Sequence, residues 1–252
     1  MVFWRSPGAR ILAAVLAVGA GAARAAGAHI AVAANFAEPA REIAAAFQAR
    51  TGHEAKLSFG ASGAFYAQIK QQAPFEALLS ADEERPRKLA EEGFGVAASR
   101  FAYALGALAL WTRDARAAPG EASLRAGGFG KIAIANPLAA PYGAAAVETL
   151  QALGLAEALR PKIVEGASIG QAFQFAETGN AEFAFVALSQ TIGKGGALWR
   201  VPQQLYRPIR QEAILLKNGE SNPAAVAFLD FLRGPQARAV IEKFGYGLDK
   251  PR

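Results

Sequence analysis

The sequence predicts an α/β fold in two lobes, on three observations. Short apolar strand-like runs alternate with helix-like segments along nearly the whole chain, the pattern of largely parallel sheets flanked by helices. That rhythm is interrupted by a long apolar run from Phe101 to Trp111, broken at Gly106, and resumes at Lys131. A late apolar strand, Ala213 to Lys217, is placed to cross back, so residues 26–105 and 210–252 form one lobe and residues 106–209 the other.

Taken in order, His29–Ala34 is a buried strand, followed by a helix in which Phe36, Ala40, Ile43, Ala44 and Phe47 recur at helical spacing. Asn35 suits its cap, Pro39 its first turn, and Thr51-Gly52 its end. Lys56–Phe59 is a second strand, Ser62 to Gln71 a helix capped by Ser62, Phe75–Leu79 a third strand, and Asp82–Glu92 a charged helix stopped by Gly93. Phe101–Trp111 reads as an extended crossover. The second unit runs strand Lys131–Ala135, helix Tyr142–Leu153, strand Lys162–Val164, helix Ser168–Thr178 and strand Glu182–Ala187. Two helices opened by proline, Pro223–Leu232 and Pro235–Phe244, close the chain and are expected on the first lobe. No internal repeat is evident.

Four turns between a strand and a helix start stand out because none carries a cationic side chain: Ala34-Asn35-Phe36, Gly60-Ala61-Ser62-Gly63, Pro141-Tyr142-Gly143 and Ala167-Ser168-Ile169-Gly170. A helix start offers unpaired N–H groups and the positive end of a dipole, so several converging starts hold an anion without Lys or Arg. Singly, Asn35, Ser62 and Ser168 each read as an ordinary N-cap, and Tyr142 as a half-buried aromatic. Their joint placement at the carboxyl ends of strands in two lobes, where a shared cleft forms, points to a ligand.

Composition narrows the function. Arg5 and Arg10 precede an apolar stretch from Ile11 to Ala23 and an Ala23-Arg24-Ala25 cleavage pattern, so residues 1–25 read as an export signal. Half of the formal charge of +6 comes from the three arginines of that segment, which removes most support for nucleic-acid binding. The absence of cysteine excludes disulfides, thiol nucleophiles, Cys-ligated metal and a lipoprotein anchor. Gly166-Ala167-Ser168-Ile169-Gly170 matches a nucleophile elbow, but His29 and His53, the only histidines, precede it, against the order of an α/β-hydrolase; a secreted serine hydrolase using Ser168 is the alternative from another class. Gly93-Phe94-Gly95-Val96-Ala97-Ala98 follows a helix instead of a strand and is no dinucleotide fingerprint.

Several segments carry a family resemblance: Ala31-Val32-Ala33-Ala34-Asn35-Phe36, Ser58-Phe59-Gly60-Ala61-Ser62-Gly63, Ala73-Pro74-Phe75 to Ser80-Ala81-Asp82, Ile134-Ala135-Asn136-Pro137 with Pro141-Tyr142-Gly143, Thr178-Gly179-Asn180-Ala181-Glu182, and Phe231-Leu232-Arg233-Gly234-Pro235-Gln236-Ala237. In these the sequence resembles the periplasmic molybdate-binding proteins of ABC transporters, a branch of the two-lobed solute-binding proteins. The resemblance implies a type II periplasmic-binding-protein fold, no enzymatic activity, no cofactor, a monomer, and a membrane ABC permease as partner. It implies molybdate or tungstate as ligand, held by Asn35, Ser62, Tyr142 and the backbone at Ile169, with sulfate or phosphate as the alternative oxyanions. Two departures accompany it. Many relatives have Ser at the position of Asn35 and a tyrosine at that of Ala187, whose hydroxyl Tyr142 is expected to replace.

Overall fold

The computed structural model describes residues 1–2 and 26–248, so the export-signal reading of residues 1–25 falls almost wholly outside the described residues. The first sheet's region contains β1 (Gly27–Ala33), α1 (Ala37–Thr51), β2 (Glu54–Gly60), α2 (Ser62–Lys70), β3 (Ala77–Leu79), α3 (Glu84–Glu91) and β4 (Phe101–Gly106). The chain crosses to β5 (Leu108–Thr112), α4 (Glu121–Ala126), β6 (Ile132–Ala135), α5 (Pro141–Ala152), α6 (Ala156–Leu159), β7 (Ile163–Gly166), α7 (Ile169–Glu177), β8 (Phe183–Ala187), α8 (Leu188–Thr191) and β9 (Ala197–Arg200). It returns through β10 (Ile209–Leu215) and ends in α9 (Pro223–Arg233) and α10 (Pro235–Lys243).

One sheet has the order β2-β1-β3-β10-β4 and the other β7-β6-β8-β5-β9. These are the same topology, with β10 and β5 as the strands that arrive from the opposite lobe. Each sheet is mixed. β1 pairs parallel with β2 and β3, and β6 with β7 and β8, whereas the crossover strands β10 and β5 pair antiparallel with their neighbours. The central strands are buried on both faces over most of their length, which is why residues 30–33 of β1, and β6 and β8, read as unbroken apolar runs. α9 packs on the first sheet and α10 on α9 and α1, in the core that holds Phe36, Phe47 and Phe228.

Helix boundaries follow their local chemistry. α1 ends at Gly52, whose φ of 75° lets its N–H close on Gln48 O, and α5, α9 and α10 each open on proline. The short elements α4, α6, α8 and β9 were not legible as separate units. β10 begins four residues before the anticipated Ala213, because Arg210, Gln211 and Glu212 break the apolar pattern while still lying in the sheet. Gln211 is fully buried and Glu212 nearly so, each satisfied by specific partners.

Candidate functional site

The carboxyl ends of β1, β2, β6 and β7 meet at the seam between the two sheets, the place where open α/β sheets bind ligands. From β1 the chain turns through Ala34 and Asn35. From β2 it enters α2 at Ser62, from β6 it reaches α5 at Tyr142, and from β7 it enters α7 at Ile169. All four residues singled out in the sequence, Asn35, Ser62, Tyr142 and Ile169, line one cavity, with Ala33, Ala34, Gly60, Ala61, Ala81, Ala140 and Pro141 completing it. Its volume open to the centre of a water-sized sphere is about 10 Å³, close to the minimum that holds one water, so the lobes are drawn together over a space of a few atoms. No ionisable acid or base lines it apart from the Tyr142 phenol.

Contacts between the lobes show how the seam is closed. Gly63 N donates to Ala139 O at 2.9 Å, Arg85 Nη2 donates to Leu138 O at 2.9 Å, and Ser189 Oγ donates to Asn35 O at 2.9 Å. A larger cavity of about 410 Å³ lies beside Gly63 and Ala139, bordered by Tyr66, Arg85, Lys88 and Leu138.

Two expected helix caps are corrected. α2 has Ala61 at its N-cap with no side-chain cap, and Ser62 Oγ instead accepts from Ala81 N at 2.9 Å, which leaves the Ser62 hydrogen to donate. α1 likewise has no side-chain cap, and Asn35 Nδ2 donates to Gln211 Oε1 at 2.9 Å and to Tyr246 OH at 3.0 Å. Both amide hydrogens of Asn35 are therefore committed to the protein, and what Asn35 has left to offer an anion is backbone N–H at a tight turn. Ser168 does act as a cap, accepting from Gln171 N at 3.3 Å. The histidines a Ser168 triad requires are held elsewhere: His29 Nε2 lies 2.8 Å from Ser58 Oγ, and His53 Nδ1 accepts from Ala26 N.

Behind the cavity lies a polar cluster that the sequence did not announce. Gln211 Nε2 donates to Tyr142 OH at 3.2 Å, Tyr103 OH donates toward Gln211 Oε1 at 3.0 Å, and Tyr246 OH donates to Asn35 O at 2.7 Å. Burial pushes the phenols of Tyr103 and Tyr142 well above their usual value and that of Tyr246 up to about 12, so all three remain protonated hydroxyls at neutral pH. The signal that could have found Gln211 is a polar triplet, Arg210-Gln211-Glu212, leading into an apolar strand; Tyr246 follows the last helix with no local cue.

Residues 28–247 match the bacterial extracellular solute-binding protein family. The chain belongs to that family. Among solute-binding proteins it is 54% identical over 217 residues to the molybdate-binding protein ModA of Rhodobacter capsulatus, covering 86% of each chain. It is 53% identical over 247 residues to the ModA of Azotobacter vinelandii, covering 93% of this chain and 96% of that one. On those identities its place is in the ModA branch. The fold superimposes on the Azotobacter vinelandii periplasmic molybdate-binding protein with a TM-score of 0.85 at 38% identity, covering 88% of this chain and all of that one. The sulfate-binding protein SubI of Mycobacterium tuberculosis, at 15% identity and a TM-score of 0.74, shares the fold alone.

The architecture is thus that of a type II solute-binding protein, with two mixed sheets facing across a cleft. Ala187 ends β8, fully buried, and does not line the cavity, whereas Tyr142 on α5 does. Among the described residues no helix is long and apolar enough to cross a membrane, and no group of three or more His, Cys, Asp or Glu could hold a metal ion.

Proposed function

We propose that this protein captures a molybdate or tungstate dianion between its lobes and delivers it to a membrane ABC permease. The observation that carries the reading is a cavity without Lys, Arg or carboxylate, lined by helix starts that face one another from the two sheets. Molybdate is fully deprotonated at neutral pH and accepts hydrogen bonds only, so the matching partners are neutral donors. In this reading the Ser62 and Tyr142 hydroxyls and the backbone N–H groups at Asn35 and Ile169 contact the anion. Each such bond to a charged acceptor contributes roughly 1.5–3 kcal/mol, and exclusion of water strengthens it.

The lobes in this reading are residues 26–105 with 210–252, and residues 106–209, hinged at the two crossovers. Residues 1–25 direct export to the periplasm and are removed near Ala25. The protein acts as a monomer, without nucleic acid and without catalysis. Sulfate and phosphate present similar oxygen acceptors, so selection against them rests on the size of the cavity.

A thermal-shift panel of molybdate, tungstate, sulfate, phosphate and chromate tests the proposal. A ligand at a hundred times its Kd stabilises the folded state by about 2.7 kcal/mol. Molybdate and tungstate are expected to raise Tm at micromolar concentration and sulfate to need far more; no shift with any tetrahedral oxyanion refutes the assignment.

A further inference from the structure

The Gln211 side chain bonds to a cavity-lining residue of each lobe. It lies on β10, at the irregularity in register between Gln211 and Glu212, and is fully buried. Its Oε1 accepts from Asn35 Nδ2 of the first lobe and from Tyr103 OH, while its Nε2 donates to Tyr142 OH on α5 of the second lobe. The space for this arrangement is kept by Gly106, at the end of β4. A Cβ there would come within 2.9 Å of Gln211 Nε2 and would overlap the Tyr142 hydroxyl.

The chemistry of a primary amide matters here. It has one acceptor end and one donor end, and with Asn35 and Tyr103 on the oxygen, the nitrogen is what faces Tyr142. A phenol oxygen that accepts from Nε2 retains one hydrogen, which must be donated elsewhere. A dianion in the cavity is a stronger acceptor for that hydrogen than a neutral oxygen. A carboxylate in place of the amide would take the Tyr142 hydrogen for itself and turn the phenol's lone pairs toward the anion. An apolar side chain would leave the phenol unoriented and the Asn35 amide short of an acceptor.

We propose that Gln211 is a positioning residue for the oxyanion site, setting Tyr142 as a hydrogen donor toward the cleft. The proposal rests on the reading of Tyr142 as an anion contact and adds to it the residue that determines the polarity of that contact.

The test is a double-mutant cycle on the full-length exported protein, with Gln211→Met and Tyr142→Phe singly and together, and molybdate Kd read by isothermal titration calorimetry. Tyr142→Phe alone is expected to weaken molybdate binding about ten-fold or more. Gln211→Met is expected to do the same in the presence of Tyr142, and to have at most about a three-fold effect once Phe replaces it. Equal effects of Gln211→Met in both backgrounds overturn the proposal, since a residue that merely supports the pocket acts without the phenol's hydrogen. A Tyr142→Phe protein with unchanged Kd overturns it differently, by removing Tyr142 from the site, and the single variant distinguishes the two failures. Should Gln211→Met not fold by circular dichroism, the same cycle with Gln211→Glu decides. Its binding loss is expected to recede as pH falls from 8 to 6 and the buried carboxyl takes up a proton, restoring one donor and one acceptor, and to recede less with Phe at 142. Recovery that is identical in both backgrounds refutes the role.

Discussion

Substituting Gly63 by alanine should separate ligand binding from lobe stability. Gly63 is the second residue of α2, and a Cβ built there comes within 2.9 Å of Ala139 Cα, 3.0 Å of Ala139 O and 3.0 Å of Arg85 Nη2. Ala139 belongs to the opposite lobe, so the backbone clash exists only while the cleft is shut. Carbon atoms pack best at about 3.5–4.0 Å, and the approach is inside that range by more than half an ångström. Relief requires backbone movement, which in well-packed regions costs roughly 1–3 kcal/mol. It also lengthens the Gly63 N to Ala139 O bond that ties the seam. Within its own helix, alanine is favoured over glycine by up to about 1 kcal/mol, so the protein without ligand should melt at the same temperature or higher. Calorimetric titration should then show molybdate affinity reduced by about five- to 150-fold, the equivalent of that cost, with the loss in the dissociation rate. An affinity within two-fold of wild type would refute the argument, and so would a lower Tm without ligand, because the clash would then lie within a lobe.

The other predictions concern single groups. Ser62→Ala removes a proposed donor and also strands the Ala81 N–H, so molybdate affinity should fall about ten-fold or more and urea stability by about 1–3 kcal/mol, both measurable on one preparation. Unchanged affinity would take Ser62 out of the site. Ser168→Ala should cost about 1 kcal/mol of stability through the lost cap and leave molybdate Kd within two-fold; a large loss of affinity would contradict its place outside the cavity. The buried phenols make stability fall in alkali. Their folded pKa lies above the unfolded value, so the contribution is complete below about pH 10 and is lost as pH rises toward the value of about 12 for Tyr246, by up to about 1.4 kcal/mol per pH unit for each tyrosine. Urea unfolding of wild type and Tyr246→Phe between pH 8 and 11 should give a shallower decline for the variant, and parallel curves would exclude Tyr246 from the effect.

Strand and helix order was legible because the sheets' central strands are buried on both faces. Stretches such as Ile132–Ala135 and Phe183–Ala187 have no polar residue to disguise them. The four turns were legible for a related reason: Asn35, Ser62, Tyr142 and Ile169 lie within a residue or two of a helix start that ends an apolar strand. What escaped notice is non-local. Gln211 is 176 residues from Asn35 and 69 from Tyr142, and its burial is decided by the fold of β10 between two lobes. Tyr246 meets Asn35 across 211 residues of sequence. The shared order of the two sheets left no sequence repeat either, since topology is kept by which strands are apolar, and many apolar sequences satisfy that.

Under the proposed function, a site built from neutral donors also suits a carrier that must let go. Had a lysine or arginine lined the cavity, its charge would attract a dianion in either state of the cleft. In that reading the attraction depends on assembling dipoles and hydroxyls from both lobes and on keeping water out, because the same groups facing solvent are screened and hydrated. The bonds that close the seam, Gly63 to Ala139, Arg85 to Leu138 and Ser189 to Asn35, therefore carry part of the affinity although none involves a side chain that faces the ligand. Separating the lobes breaks those three contacts and divides the donor set in one motion. Under the proposed function, a permease that stabilises the open form needs no competing anion site of its own to release the cargo, and affinity and release become two readings of a single hinge equilibrium.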